Sequence, residues 1–149
     1  MRPVYEILTG IRWLIWGTWW GGLSFYAIVV VPIGTEQIGS VEQGFVTQQV
    51  TWWHNVLCGI FAASLLLEAY YRKNRLVYAT AFLLAFISIL LMAGHTYLTK
   101  QMNFQDRSVG SDFYSQHAIY LWITAAEWTV GLTVPFILTY ATRTPQPEA

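Results

Sequence analysis

Residues 76–98 read LVYATAFLLAFISILLMAGHTYL, a stretch without a charged side chain. A helix that crosses a bilayer needs about 20 mostly apolar residues, and this stretch satisfies that requirement. Three more segments qualify, at residues 11–33, 52–71 and 117–142. Backbone polar groups in hydrocarbon must be satisfied internally, so these spans are expected to be helices. The sequence therefore predicts an all-α fold: an integral membrane four-helix bundle in a single transmembrane domain over residues 1–149, with a flexible tail at residues 143–149.

The composition agrees with a lipid-facing surface. Hydrophobic residues make up 55% of the chain, aromatic residues 17% and charged residues 11%, whereas soluble domains carry about 25% charged residues. The formal net charge is zero, and no basic stripe or nucleic-acid motif is present, which argues against a nucleic-acid partner. The predicted partners are the lipid bilayer and other membrane subunits.

Basic residues concentrate on one side of the predicted spans. They flank the start of the first span, fill the turn between the second and third, and follow the fourth: Arg2, Arg12, Arg72, Lys73, Arg75 and Arg143. Because basic residues favour the cytoplasmic side, both termini are expected there. The pattern predicts a multi-pass protein of the bacterial inner (cytoplasmic) membrane.

The two longer loops are therefore expected outside, and they carry local signals of their own. Ser40 to Gln43 has the spacing of a capping box, which predicts a short helix over residues 40–50 on the membrane surface. Pro32 is expected to end the first span. Gly17 and Gly21 form a small-xxx-small pattern, which marks a close helix contact in some membrane proteins.

The three histidines of the chain are expected at one end of the bundle. His95 lies 19 residues beyond Leu76, which is about 28 Å along a helix and thus near the outer surface. His54 is expected in the first turn of the second span and His117 in the first turn of the fourth, and both spans begin outside. The serpentine path therefore predicts that the three imidazoles share the outer leaflet.

Imidazole, thiolate and thioether groups are ligands for soft metals, and a histidine pair can hold a haem from both sides. Cys58 lies one turn below His54 and Met92 one turn below His95. The candidate metal set is therefore His54, Cys58, Met92, His95 and His117, and the candidate cofactor set is its three histidines, with haem b or copper bound. The alternative is that each histidine is an interfacial residue that forms hydrogen bonds, and that Cys58 is a small buried hydrophobe.

Glu127 is a carboxyl group about 15 Å into a hydrocarbon core about 30 Å thick. An unpaired carboxylate at this depth costs several kcal/mol. One interpretation is a neutral glutamic acid hydrogen-bonded to a Trp, Ser or Thr of another helix. The other is proton or ion handling. Near the opposite end of the second span, Glu68 is expected to pair with Arg72, one helical turn away.

Several short motifs suggest a family. They are Trp16-Gly17 at the head of a glycine-rich helix that ends in Pro32, Phe113-Tyr114-x-x-His117, and Tyr120-Leu121-Trp122. In these the chain resembles an uncharacterised family of four-helix bacterial membrane proteins, distantly similar to copper-resistance-D-like proteins and to the membrane protoporphyrinogen oxidase of haem synthesis. The resemblance to the latter implies a haem held by a membrane histidine, with His54 or His95 as the candidate by position.

Three functions follow from these observations. The first is a non-catalytic accessory subunit of a larger membrane complex, such as a bioenergetic one, which is favoured because no catalytic constellation is evident. The second is a haem b or copper redox protein with its histidine site at the outer leaflet. The third is a small carrier that uses Glu127. A fold alone does not decide between them.

Overall fold

Long helices make up nearly all of the protein in the computed structural model, which describes residues 2–103 and 105–143, with side chains from 6 to 103 and 105 to 141. The first helical segment consists of α1 (Arg2–Trp16), α2 (Gly22–Phe25) and α3 (Val31–Ile38), joined by π-helical turns at Gly17–Gly21 and Tyr26–Val30. The later helices are α4 (Ser40–Arg72), α5 (Arg75–Lys100) and α6 (Phe113–Arg143). Between α5 and α6, strands β1 (Met102–Asn103) and β2 (Ser108–Val109) pair antiparallel.

Four helical segments have the length and apolar composition to cross a membrane. They are span 1 (Glu6–Ile38), span 2 (Ser40–Arg72), span 3 (Arg75–Lys100) and span 4 (Phe113–Ala141). Span 3 presents Phe82, Phe86 and Ile89 outward, each 59–67% exposed. A surface of this kind is unusual for a soluble monomer. The predicted all-α four-helix architecture is confirmed, and the helices indicate a multi-pass membrane protein.

The spans form a closed ring in which span 2 contacts spans 1 and 3, and span 4 contacts spans 3 and 1. A tight turn joins spans 2 and 3, since Lys73 adopts a left-handed conformation with φ 50°. The side chain of Asn74 then caps α5 by accepting from the backbone N–H of Leu76 at 3.0 Å and of Val77 at 3.2 Å. We call the end with this turn, the start of α1 and the end of α6 the terminal end, and the opposite end the loop end.

The terminal half of the bundle is close-packed. Its core contains fully buried side chains from all four spans, including Trp19, Phe61, Leu84 and Val134. A smaller apolar cluster lies towards the loop end between spans 3 and 4, made of Ile87, Leu91, Leu98 and Tyr120. Dense packing at one end and a small cluster at the other leave room for a cavity at the loop end.

A buried ionic cluster ties spans 1 and 2 together at the terminal end. Arg12 Nη1 lies 2.6 Å from Glu68 Oε2, and both side chains are less than 10% exposed. Glu68 also accepts from Arg72 Nε. The predicted Glu68–Arg72 pair is confirmed, and Arg12 is a second partner, contributed by a different helix.

Three indole N–H groups join span 1 to span 4. Trp16 Nε1 donates to the carbonyl oxygen of Gly131, Trp19 Nε1 to Glu127 Oε1 and Trp20 Nε1 to the carbonyl oxygen of Trp128, each at 3.0 Å. These bonds place the tryptophan-rich face of span 1 against span 4 and leave no indole of the three without a partner.

The small-xxx-small pattern of Gly17 and Gly21 does not lie at this contact. A Cβ atom added at Gly17 or Gly21 would meet nothing within 4 Å, so neither glycine marks a helix contact within the described residues. The close approach occurs at Gly131, where a Cβ would lie 2.5 Å from Trp20 Cδ1 and 2.8 Å from Trp19 Cη2. Tertiary packing, not spacing along span 1, selects the glycine that the contact needs.

Two predicted boundaries at the loop end are wrong. The helix of span 1 continues through Pro32 to Ile38, because Pro32 falls in the first turn of α3, where its missing N–H is tolerated. Residues 40–50 form no separate surface helix, since α4 is continuous from Ser40 to Arg72 and no side chain caps its start. Gly39 makes the connecting turn with φ 92°, a conformation that favours glycine.

The predicted tail falls mostly outside the structure. Arg143, assigned to the tail, is the last residue of α6. Residues 144–149 lie outside the described residues.

The end of span 1 and the start of α4 form a helical hairpin around Gly39, which we call the loop-end hairpin. A polar contact holds its two arms together. Gln43 is 4% exposed, and its Nε2 donates to Tyr26 Oη and Thr47 Oγ1, both at 3.3 Å. A Cβ at Gly34 would lie 1.8 Å from Gln43 Oε1. Gly34 therefore makes the space that Gln43 occupies.

Gly34→Ala is expected to displace the Gln43 side chain and break these hydrogen bonds. The matched control is Gly44→Ala in the same hairpin, where an added Cβ meets nothing within 4 Å. Both substitutions raise the helix propensity of the chain by the same amount. We expect Gly34→Ala to be less stable than Gly44→Ala by about 1–3 kcal/mol, the cost of leaving buried polar groups unpaired. Unfolding in mixed detergent micelles measures the difference, and equal stabilities would contradict the assignment.

Candidate functional site

A cavity of about 790 Å³ lies at the loop end, with residues of all four spans in its wall. Aliphatic and aromatic side chains make up much of this wall. Its polar groups include the three histidines, Asn55, Tyr120 and Glu127. Apolar concave walls with a few convergent polar groups are typical of small-molecule binding sites.

His54, His95 and His117 come from spans 2, 3 and 4, and the fold brings all of them into the wall of this one cavity. The path predicted for the chain thus delivers the three rings to the same end. The predicted position of His54 is wrong in detail, because His54 is the fifteenth residue of α4, counted from Ser40. His54 still lines the cavity. The turns of α4 that precede it belong to the loop-end hairpin with α3, so the helix begins well before His54.

Aromatic neighbours fix two of the histidine rings. The His54 ring stacks on Trp19 with 6.5 Å between ring centroids, and the His117 ring stacks on Phe113 at 5.5 Å. His54 Nε2 is buried and has no hydrogen-bond partner. Buried polar atoms nearly always have a partner, so the unpartnered nitrogen of this wall residue is an exception.

The other two members of the predicted metal set do not join the histidines. Neither Cys58 nor Met92 is among the cavity-lining residues that the structure describes. Cys58 is fully buried and lies against the side chains of Glu127 and Ser88. Within the described part of the chain, no group of three or more histidine, cysteine, aspartate or glutamate side chains is placed to hold a metal ion.

Glu127 contributes to the deep part of the wall. Its side chain is fully buried, and Oε1 accepts from Trp19 Nε1 at 3.0 Å. The hydrogen bond to a tryptophan of another helix, which the first of the two interpretations predicts, is therefore present. Oε2 is buried and has no hydrogen-bond partner, and the Cys58 side chain also lies against this carboxyl group.

Sequence reasoning missed a polar network between spans 2, 3 and 4. Asn55 Nδ2 donates to Tyr120 Oη at 3.1 Å, and Ser88 Oγ donates to the carbonyl oxygen of Asn55 at 3.2 Å. Asn55 is 2% exposed. An amide side chain inside an apolar span, directly after His54, was the signal that could have identified it.

The hairpin after α5 closes part of the loop end. Met102 of β1 and Val109 of β2 both line the cavity. Between the strands, Arg107 Nη1 approaches Glu42 Oε1 at 3.4 Å, which connects the hairpin to the first turn of α4. The Arg107 side chain is 70% exposed, so this ion pair contributes little stability.

Comparison with known proteins gives no assignment: no family model, curated protein or solved structure matches the chain. The function is therefore argued from the cavity and its chemistry.

Proposed function

We propose that this protein is a membrane-embedded binding protein for a lipophilic small molecule, which it holds in the loop-end cavity. The observation that carries the proposal is the unpartnered His54 Nε2 in the wall of a largely apolar cavity of about 790 Å³. A ligand with an apolar body and a small polar head fits such a wall, because the body replaces lipid contacts and the head supplies the missing hydrogen bond.

Haem b fits this wall poorly. The imidazoles could approach an iron ion, but a haem also carries two carboxylate groups. Among the described residues of the wall, none is lysine or arginine, and Glu127 is acidic. Buried carboxylates need compensating positive charge or several hydrogen-bond donors. Copper is also disfavoured, because the described histidine, cysteine, aspartate and glutamate side chains form no group of three or more that could hold a metal ion. An absorption spectrum without a Soret band is the expected result.

The location we propose is the bacterial inner membrane, with the terminal end in the cytoplasm. The basic residues at that end support this orientation, among them Arg72 and Lys73 of the turn between spans 2 and 3. The cavity then lies on the outer side of the bundle.

An accessory role in a larger membrane complex is compatible with ligand binding, since a bound lipophilic molecule can be presented to other subunits. Exposed aromatic side chains that could contact such subunits support this role, for example Trp122 at 77% exposed and Phe136 at 72% exposed. Copurification with partner subunits from mild detergent tests it. A carrier function is less favoured, because the packed core around Phe61 and Leu65 separates the cavity from the terminal end.

The binding proposal is tested by filling the cavity. Gly44 lines the cavity wall, and a Cβ at Gly44 meets nothing within 4 Å. Gly44→Phe is therefore expected to place a ring in the cavity without a clash at the backbone. We expect Gly44→Phe in nanodiscs to bind a long-chain alcohol at least tenfold more weakly than the wild type, equivalent to about 1.4 kcal/mol. The free energy of unfolding is expected to stay the same.

The matched control is Gly17→Phe, which adds the same ring at a position outside the described cavity wall, where a Cβ also meets nothing within 4 Å. The control is expected to bind like the wild type. No saturable binding to the wild type, or equal binding by both variants, would overturn the proposal.

A further inference from the structure

The loop-end cavity has an acidic group in its wall without a cationic partner there. Glu127 is fully buried, and the described residues of the wall contribute no lysine or arginine to balance it. A buried carboxylate without a counter-charge is costly. Such a group is neutral unless a cation pairs with it, and a cation that enters the cavity would supply that partner. Ionised Glu127 then favours a positively charged ligand over a neutral one.

The hydrogen-bonding groups favour the same ligand. Glu127 Oε2 and His54 Nε2 are both buried and lack a partner. A carboxylate oxygen accepts hydrogen bonds, and one nitrogen of a neutral imidazole does so as well. A protonated amine carries both the charge for Glu127 and an N–H for one of these acceptors.

Aromatic rings in the cavity wall also favour the binding of a cation. Tyr26, Trp53, Phe113 and Tyr120 all line the cavity. A cation over an aromatic face gains about 0.5–2 kcal/mol, most when water is excluded. Since aromatic rings also contact hydrocarbon favourably, the same wall accommodates the head and the body of an amphipathic amine.

Trp19 keeps the acidic group in position. Its indole N–H donates to Glu127 Oε1 at 3.0 Å, and its ring packs on Phe61 with centroids 5.1 Å apart. The bond occupies Oε1, the Cys58 side chain also lies against the carboxyl group, and the buried Oε2 has no hydrogen-bond partner. Glu127 is thus held by a rigid neighbour, a condition for selective recognition.

We propose that the loop-end cavity selects lipophilic cations, with a protonated long-chain amine as the preferred class and Glu127 as the group that recognises the charge. This inference rests on the binding function proposed above and adds the ligand class to it.

The experiment compares three probes that share one alkyl chain: a tertiary amine, a quaternary ammonium and a neutral alcohol. Binding is measured by calorimetry on the full chain in nanodiscs made of zwitterionic lipid, with empty nanodiscs subtracted. Both cations are expected to bind at least tenfold more tightly than the alcohol, and the amine more tightly than the quaternary ammonium, which has no N–H to donate.

Glu127→Gln is expected to remove the preference, weakening both cations at least tenfold and leaving the alcohol within twofold of wild type. Glu127→Asp, which keeps the charge, is expected to retain a preference for cations. The control is Thr124→Val, which removes an uncharged polar group from the same wall and is expected to leave the preference intact.

The outcomes separate the two proposals. If none of the probes binds the wild type, the binding function itself fails. If the alcohol binds as tightly as the cations, or if Glu127→Gln keeps the wild-type preference, the function stands and the assignment of Glu127 is overturned. The comparison of probes on the wild type decides the ligand class even where the Gln variant does not fold.

Discussion

Replacing Glu68 with alanine is expected to lower the free energy of unfolding by about 3–5 kcal/mol, the usual cost of leaving a buried charge without its partner. Arg12 lies 2.6 Å from Glu68, and its side chain is 6% exposed. Without Glu68, this guanidinium loses its carboxylate in a region from which water is largely excluded. Unfolding of the purified protein in mixed detergent micelles measures the loss.

The arrangement of the cluster predicts an unequal response. Arg12→Ala is expected to cost less than Glu68→Ala, because Glu68 keeps Arg72 as a partner. The double variant Arg12→Leu with Glu68→Leu is expected to recover much of the stability, since apolar residues often replace buried ion pairs without loss. The control, Arg75→Ala, removes an exposed charge and is expected to stay within about 0.5 kcal/mol of wild type. A Glu68→Ala loss no larger than this control would contradict the argument.

Gly131→Ala is expected to cost about 1–3 kcal/mol through overpacking, and larger side chains more. The added Cβ would lie 2.5 Å from Trp20 Cδ1 and 2.8 Å from Trp19 Cη2. Neither ring can move cheaply, because both indole N–H groups are bonded to span 4. The Trp20 ring also stacks between Trp16 and Trp128, with centroids 5.4 Å away on each side.

The Gly131 prediction has two measurements. Unfolding in detergent gives the stability, and the near-ultraviolet circular dichroism of the tryptophans reports their packing. Gly17→Ala and Gly21→Ala are the controls, since a Cβ at either position meets nothing within 4 Å, and both are expected to match or exceed the wild type in stability. If Gly131→Ala behaves like these controls, spans 1 and 4 do not pack as described.

The local hydropathy pattern of the sequence was sufficient to predict the four spans and the end of the bundle at which the histidines lie. Hydropathy over about 20 residues is a property of consecutive residues, so the third span could be predicted almost to its ends, at 76–98 against Arg75–Lys100. The positions of the histidines then follow from counting residues along each helix, because successive spans must begin at opposite ends of the bundle.

The same local pattern did not predict the end of span 1 or the start of α4, because contacts between these two helices determine where each one ends. Residues 40–50 are weakly apolar, and by themselves they are as compatible with a surface helix as with an extended span. Their continuity with α4 is supported by contacts that no spacing reveals, such as the bonds of Gln43 to Tyr26 and Thr47.

The sequence by itself determined that four apolar helices form the chain and that His54, His95 and His117 lie towards one end, because both depend on residue order and helix rise alone. Only the tertiary structure decided that Glu127 pairs with Trp19, that Arg12 joins Glu68, and that Cys58 and Met92 lie outside the described cavity wall. These pairings depend on the rotation of each helix about its axis, which is set by how side chains of distant segments fit together.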